Sequence, residues 1–492
     1  MERRPRSAPP TDPAMEPVTS VPEDSAGAGC TARSSQDTRS AQIAAAVAAC
    51  LATAQWLVFR PGILTPDTVF QYREAVTGQF TNVHPPLMAL VFAAGRRIGV
   101  GLGTLMWLQA FTLHLGILLL ARTVLRRVVG NRRPGLTGPM LGAALLVASP
   151  LLSPCMFYGA TFWKDVWLAI ALLFAAVAYL RLVDRAEPRR PFDFAVLMGL
   201  TAVVPSLRHN AIVILPALAW LVWHGAPVRD RRLCLLLTTA SMLVALAMPR
   251  VLNRLARARD ADPVGQVLAL DLVGLWKAHP ECRPSLPHVK ANVRADLVDT
   301  RYHFGHVAQL LWSEPIIVEP GMFDREPLHA QWWRAWREFP LPMLEMKLRA
   351  FWPLLGLDQR LTHYWIEHGQ WAEDLGLRHE GWAGAREAVL RFGDKLVARQ
   401  KTLRWVGRVH GVWLAVALGL WVCARRLGAR AAGFAGVAAL ALAYYGGFLL
   451  ASVMPDYRFM FPATLLVQVV VVSTALGALL RRSAGRAAHA GR

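Results

Sequence analysis

The chain has 492 residues, of which 54% are hydrophobic and only 18% are charged, and its mean hydropathy is +0.32. This composition argues against an ordinary soluble protein and favours a polytopic membrane protein. A net charge of +21 would suggest nucleic-acid binding in a soluble protein, but here the arginines collect in alternate loops, so no nucleic-acid partner is expected.

Hydropathy along the chain predicts an all-α polytopic membrane protein with about ten transmembrane helices. The first 39 residues are rich in Pro, Ser, Thr and Arg, a composition typical of disorder. A membrane-crossing helix needs roughly 20 mostly apolar residues. Ten later segments approach that length: 40–60, 104–124, 137–153, 165–181, 192–206, 210–224, 233–250, 407–425, 431–452 and 459–480. Two of them, 192–206 and 210–224, are short, so they could be tilted or partly re-entrant.

The arginine clusters predict which ends of these helices face the cytoplasm. Arginines follow the second, fourth, sixth and eighth segments and fill the C-terminal tail. By the positive-inside rule, these loops and both termini are cytoplasmic. The segment 84–99 is then a helix at the outer interface, because counting it as a span would place the arginines that follow the second segment outside.

The same reasoning divides the chain into five parts. Residues 1–39 form a disordered cytoplasmic tail, and 40–250 form an N-terminal transmembrane module whose first outer loop is 61–103. Hydropathy falls over 251–405, where Trp, His, Pro and charged residues increase, so a mostly helical extracytoplasmic domain is predicted there. Its Trp-rich part, 331–352, is expected to lie on the membrane surface. Residues 406–482 form the C-terminal transmembrane helices, and 483–492 a cytoplasmic tail.

Every short outer connection carries polar residues. A charged group at membrane depth costs about 2.5 kcal/mol or more unless it is paired or hydrated, so we expect these connections to converge on one site. Asp67 suits proton removal from a hydroxyl, whereas Lys164, Arg208 and Arg458 suit an anionic phosphate. The expected substrate-binding residues are Tyr72, Glu74, His84, Tyr158, Asp165, His209, Asn210 and Tyr457.

Structural roles compete with these assignments. Asp67 follows a proline at the end of a span and is also a plausible helix N-cap. His84 precedes two prolines and could simply cap the interfacial helix. Lys164 and Asp165 could pair with each other, and Arg458 could reach the lipid headgroups.

Five short motifs occur in this order: "PDTVFQY" at 66–72, "HPPL" at 84–87, "FWKD" at 162–165, "RHN" at 208–210 and "YRF" at 457–459. In their order, and in their common side of the membrane, these motifs resemble those of the GT-C superfamily. These multi-span glycosyltransferases use polyprenyl-phosphate sugars and include protein mannosyltransferases and bacterial lipid A aminoarabinose transferases.

The resemblance implies an inverting transferase of a bacterial inner membrane, with its active site outside the cytoplasm. Asp67 would be the catalytic carboxylate, which accepts the acceptor's proton or orients it. The donor would be a polyprenyl-phosphate sugar, and the acceptor a glycan, lipid or protein. Many members carry two acidic residues in the first outer loop, whereas here Pro66 precedes Asp67 and the next acid is Glu74. No metal ligand is therefore assigned, and a divalent metal cofactor stays open because members differ in metal dependence.

Two other classes of protein also fit the sequence. A transporter or flippase for a lipid-linked sugar would use the same charged groups for binding alone, but it needs polar residues at mid-span, where this chain has few. An O-antigen polymerase or ligase also takes a lipid-linked donor. The early acidic loop favours the glycosyltransferase.

Overall fold

The computed structural model describes residues 24–130, 136–149, 152, 154–184, 191–226, 230–304, 310, 315–357, 372–398, 409–426, 429–452 and 456–490. The chain divides into two compact units, Met1–Ile43 and Ala44–Arg492, and the features discussed below belong to the second. The described residues are helical; they contain no strand, only three isolated β-bridges.

Six helices are long and apolar enough to cross a membrane, so the protein has the features of a multi-pass membrane protein. They are α1 (Asp24–Phe59), α4 (Leu102–Val129), α7 (Lys164–Leu182), α10 (Arg231–Ala256), α18 (Ala429–Ala451) and α19 (Tyr457–Ala490). Helix α1 begins inside the segment predicted to be a disordered tail, because its residues 24–39 contain no proline to stop a helix. Residues 1–23 of that predicted tail lie outside the described residues.

The other four predicted spans form shorter helices. They are α5 (Thr137–Ala148), α8 (Pro191–Leu207), α9 (Leu215–Gly225, preceded by the 3-10 turn His209–Ile214) and α17 (His410–Arg426). At about 1.5 Å per residue, each covers less than the roughly 30 Å of a bilayer core. The structure therefore supports six spans by length, and the number ten stays a prediction.

The remaining helices are short and lie between or beyond these spans. Helices α2 (Pro66–Thr77) and α3 (Leu87–Arg97) occupy the predicted first outer loop, and α6 (Cys155–Tyr158) precedes α7. The segment 265–398 contributes α11 (Gly265–Ala278), α12 (Pro287–Asn292), α13 (Ala295–Arg301), α14 (Arg325–Glu338), α15 (Pro340–Phe351) and α16 (Ala383–Ala398).

Helix α7 lies at the centre of the main core. It packs against α4, α8 and α19, and nearly all of its side chains are buried. Small residues allow this close approach: a Cβ added to Gly116 of α4 would meet Leu173 of α7 at 3.2 Å. Because α7 is central, its first residues lie among the helix ends of the bundle.

The two ends of this bundle differ in charge. Arg127 Nη1 donates to the Leu180 carbonyl at 2.5 Å, and Arg481 Nη1 donates to the Val128 carbonyl at 3.2 Å. These contacts gather basic residues of α4 and α19 beside the last turn of α7, and we call this region the arginine end. The opposite end, where α7 begins at Lys164, is about 28 Å away along its 19 residues, which is close to a bilayer core.

A second hydrophobic core forms within residues 268–346, inside the segment predicted to be a separate domain. Its α11 and α15 are joined by a buried ion pair, with Lys347 Nζ 2.6 Å from Asp271 Oδ2. Trp332 and Trp336 pack against this core, and Trp332 Nε1 donates to Asp271 Oδ2 at 2.9 Å. Both tryptophan side chains are only partly buried against this core, so the expectation that the Trp-rich stretch lies on the membrane surface stays a prediction.

Candidate functional site

Helix α2 sets the position of Asp67. The helix begins at Pro66, and its N-cap is Thr65, whose side chain accepts a hydrogen bond from the Thr68 backbone N–H at 3.3 Å. Trp163 Nε1 also donates to Thr65 Oγ1, at 2.9 Å, which ties the start of α2 to the residue before α7. Asp67 is therefore not the cap, and its carboxylate lies in the first turn, available for other contacts.

Asp67 contacts a cation from the far end of the sequence. Its Oδ2 accepts a hydrogen bond from Arg458 Nη1 at 2.9 Å, and its Oδ1 lies 3.8 Å from His84 Nε2. Burial alone would raise the pKa of Asp67, but the positive charges around it, that of Arg458 above all and also that of Lys164, outweigh burial and hold this pKa well below its usual range. The carboxylate is therefore ionised and paired when the site holds no substrate.

Arg458 is itself held from two sides. Its Nε lies 2.9 Å from Asp456 Oδ2, and its guanidinium lies over the Trp163 ring at 4.8 Å. Burial raises the pKa of Asp456. The predicted alternative, in which Arg458 reaches the lipid headgroups, does not fit this geometry, because two carboxylates keep its side chain within the protein.

His84 connects Asp67 to Lys164. The Lys164 ammonium lies 2.5 Å from His84 Nδ1, so Nδ1 accepts a hydrogen bond from it and Nε2 carries the hydrogen that faces Asp67. Burial and the Lys164 charge lower the pKa of His84, which keeps the imidazole neutral. Within the described residues, no carboxylate oxygen forms an ion pair with Lys164.

Arg208 pairs with Asp165 at the start of α7. Both side chains are buried, with 9% and 1% of their surfaces exposed, and the Arg208 guanidinium lies over the Phe459 ring at 4.3 Å. The alternative in which Lys164 pairs with Asp165 is wrong, because Arg208 takes that carboxylate. Asp165 thus has a structural contact, and Arg208, which the sequence predicts to bind phosphate, already has a carboxylate partner.

The other predicted residues divide into two groups. Tyr72, Glu74 and His209 hold the first loop: Tyr72 accepts from Arg96 at 2.9 Å, Glu74 accepts twice from Thr81 at 2.7 Å, and His209 Nε2 donates to the Asn82 carbonyl at 3.0 Å. Tyr158, Asn210 and Tyr457 line the same end of the bundle. Tyr158 packs edge-on against Trp163, and Tyr457 lies on His410 with ring centroids 4.3 Å apart. The Asn210 side-chain oxygen is buried and has no hydrogen-bond partner in the described residues.

The structure adds Asp456, Trp163 and Gln71, to which the sequence reasoning assigned no role. Asp456 could have been found from its position two residues before Arg458, and Trp163 from its place in the "FWKD" motif directly before Lys164. Gln71 lies one turn after Asp67 on α2, and both polar atoms of its buried amide have no partner in the described part of the chain.

The described residues offer no candidate metal site, and comparisons with known proteins give no relative. The described residues contain no group of three or more His, Cys, Asp or Glu side chains placed to hold a metal ion. No protein-family model, no curated protein and no solved structure matches the chain.

Proposed function

We propose that the protein is a membrane glycosyltransferase of the GT-C type, with about ten transmembrane helices. It would transfer a sugar from a polyprenyl-phosphate donor to a hydroxyl of a glycan, lipid or protein acceptor. The observation that carries the proposal is the meeting of Asp67, His84, Lys164 and Arg458, from three distant parts of the chain, at one end of an apolar helix bundle.

The position of this cluster supports an extracytoplasmic reaction. It lies at the end of α7 opposite the arginine end. The arginine-rich loops of membrane proteins face the cytoplasm, so the cluster would face the outside. A donor whose phosphate sits at the headgroups and whose chain stays in the bilayer would present its reactive carbon at this depth. We assign the site to the outer face of a bacterial inner membrane, with both termini in the cytoplasm.

Lys164 is the cation best placed for the donor phosphate. Arg208 is paired with Asp165, and Arg458 is shared by Asp67 and Asp456, whereas Lys164 donates to a neutral imidazole. A phosphate oxygen would replace His84 as its acceptor and gain a charge-assisted hydrogen bond. Arg458 lies beyond Asp67 in the same series of contacts and would reach the phosphate with its remaining donors.

The reaction would proceed by inverting displacement at the anomeric carbon. The acceptor oxygen forms a bond to this carbon as the bond to the phosphate oxygen breaks, and the phosphate leaves with the bonding electron pair. Asp67 receives the hydroxyl proton. A carboxylate with a low pKa is a weak proton acceptor. Binding of a donor phosphate that draws Arg458 away would raise the pKa of Asp67 and make it a stronger proton acceptor when substrate is present.

Polar residues within the spans support an enzyme more than a transporter. Gln55 donates to the carbonyls of Cys155 and Met156, at 3.2 and 2.8 Å, and Gln109 donates to the Thr161 carbonyl at 2.8 Å. His114 contacts Gln55 at 3.1 Å. These three side chains hold the turn that leads into Lys164, so they do not form a polar path across the bundle.

The test uses the full chain reconstituted in lipid with polyprenyl-phosphate sugars of several sugar types, and it measures the release of polyprenyl phosphate. The protein should release lipid phosphate from at least one donor in the presence of envelope acceptors, and Asp67→Asn should abolish the release. Arg73→Ala, an exposed change on the same helix, is the matched control and should keep the activity. Equal rates for Asp67→Asn and the unmodified protein would exclude the proposed role of Asp67, and no release from any donor would exclude the donor class.

A further inference from the structure

Helix α15 has two apolar faces, and only one of them is covered by protein. Its side chains Met343, Met346, Lys347 and Ala350 are buried, whereas Leu341, Leu344, Leu348 and Trp352, just past its end, are exposed. The exposed side chains follow one another at intervals of three, four and four residues, which places them in one stripe on a helix. At about 100° per residue, this stripe lies opposite the buried side chains.

The buried face fixes α15 between the second core and a membrane-crossing helix. Met346 packs in the second core, and Lys347 forms the buried ion pair with Asp271. Lys347 Nζ also donates to the Leu450 carbonyl at 2.6 Å, and Ser452 Oγ donates to the Ala350 carbonyl at 2.7 Å. Two hydrogen bonds therefore hold α15 at the very end of α18.

This attachment sets the depth of the exposed stripe. Helix α18 is apolar and long enough to cross the membrane, and it ends at Ala451, so its last turn lies at the edge of the hydrocarbon core. The Leu450 side chain at that turn is 56% exposed and faces away from the bundle. The exposed Leu450 side chain and the exposed stripe of α15 are therefore held at the same end of a span.

We propose that the outer stripe of α15, Leu341, Leu344, Leu348 and Trp352, inserts into the boundary between headgroups and acyl chains of the membrane. A leucine face with a tryptophan at its end is the pattern of a helix that lies in the interface plane. The contact would fix the second core at one height above the bundle. It does not depend on the proposed sugar transfer.

Spin labels on single cysteines test this proposal in the reconstituted full chain, in a background whose six native cysteines are replaced. Labels at Leu344→Cys and Leu348→Cys should collide more often with oxygen, which concentrates in lipid, than with a water-soluble nickel complex. Leu243→Cys, exposed on the span α10, is the lipid control, and Glu326→Cys, exposed on α14, is the water control. The ratio of oxygen to nickel collisions at the α15 positions should exceed that at Glu326 severalfold and lie below that at Leu243, which is at the middle of its span.

Each alternative occupant of the stripe gives a different outcome. Strong nickel collisions would show that water covers it, and weak collisions with both reagents would show that protein, such as a second copy of the chain, covers it; either result overturns the proposal. If the cysteine-free background does not fold, the native chain in vesicles with a photoactivatable phospholipid gives the same decision. Lipid should then attach within residues 338–347, and its absence there while the α10 peptides are labelled would overturn the proposal.

Discussion

Arg458 Nη1 donates a hydrogen bond to Asp67 Oδ2 at 2.9 Å and so joins two residues that are 391 positions apart in the sequence. The same guanidinium contacts Asp456, whose Oδ1 also accepts from the Arg458 backbone N–H at 3.0 Å. Asp456 thus fixes the cation at the start of α19, and the cation fixes Asp67. The carboxylate that we propose to be catalytic thus depends on this arginine for both its position and its ionised state.

The first prediction concerns stability against pH. The Asp67 pKa is lowered in the folded protein, so its ion pair stabilises the fold above the unfolded value near 3.8 and loses this effect as the pH falls further. The difference in melting temperature between the unmodified protein and Asp67→Asn should therefore be largest near neutral pH and shrink on acidification below about pH 4. Thermal unfolding in detergent at a series of pH values measures it.

Asp296→Asn is the control for this pH series. Asp296 is exposed on α13, so its replacement should leave a small difference in melting temperature that hardly changes with pH. A difference between the unmodified protein and Asp67→Asn that grows on acidification would contradict the assigned direction of the pKa shift.

The second prediction separates Lys164 from the two arginines. Lys164→Met removes the cation that has no carboxylate ion pair in the described structure, so it should leave the melting temperature unchanged or raise it. Loss of one charge-assisted hydrogen bond, about 1.5 to 3 kcal/mol, should raise the KM for the donor by roughly tenfold to a hundredfold. Steady-state kinetics with varied donor measures this change.

Lys164→Arg is the matched variant for that experiment. It keeps a positive charge near His84 and should recover part of the donor affinity. An unchanged donor KM in Lys164→Met, in a protein that transfers sugar, would remove Lys164 from the phosphate site.

The third prediction concerns Arg208 and Asp165. Arg208→Met leaves a fully buried carboxylate without its partner, which should cost about 3 to 5 kcal/mol of unfolding free energy. The double variant Arg208→Met with Asp165→Asn removes both charges and should recover most of this loss. Unfolding curves of the two single variants and the double variant give the coupling energy between the residues. If Arg208→Met alone melts like the unmodified protein while its donor KM rises, the arginine acts on substrate and the pair does not stabilise the fold.

The sequence predicts where the polar residues lie better than it predicts their partners. Charged residues at the ends of apolar segments must be paired or hydrated, so a common location for Asp67, Lys164, Arg208 and Arg458 follows from the order of spans and the arginine loops. Which cation meets which carboxylate depends on the relative rotation of helices distant in sequence. Adjacency in the chain suggested Lys164 with Asp165, but neighbouring residues at a helix start point in different directions, and Asp165 meets Arg208 instead.

Hydropathy also predicts which segments are apolar better than it predicts where their helices begin and end. The segment 210–224 is apolar from Ala211 to Trp223, yet it lies partly in the 3-10 turn His209–Ile214 and becomes α-helical only from Leu215. Likewise, a Trp-rich stretch suggests a membrane surface, but it does not reveal that Trp332 donates a hydrogen bond to Asp271, a buried carboxylate of the second core. Such decisions depend on contacts far along the chain, which no local pattern contains.

The last prediction concerns Glu74, whose Oε1 accepts hydrogen bonds from both the backbone N–H and the hydroxyl of Thr81. This contact shapes the loop before His84. The same loop also pairs with the segment after α10, because the Arg259 backbone N–H donates to the Phe80 carbonyl at 2.8 Å. Glu74→Ala should release Thr81, misplace His84, and lower transfer by between about tenfold and a hundredfold.

Glu74→Gln distinguishes this positioning role from contact with substrate. Glutamine keeps an oxygen that accepts from Thr81, and burial raises the pKa of Glu74, so the site does not favour the negative charge. Glu74→Gln should therefore keep the transfer rate, whereas Glu74→Ala should lose it and also exchange the Thr81 amide hydrogen faster. If Glu74→Gln is as inactive as Glu74→Ala while the Thr81 amide stays protected, the carboxylate acts on substrate and the loop contact is incidental.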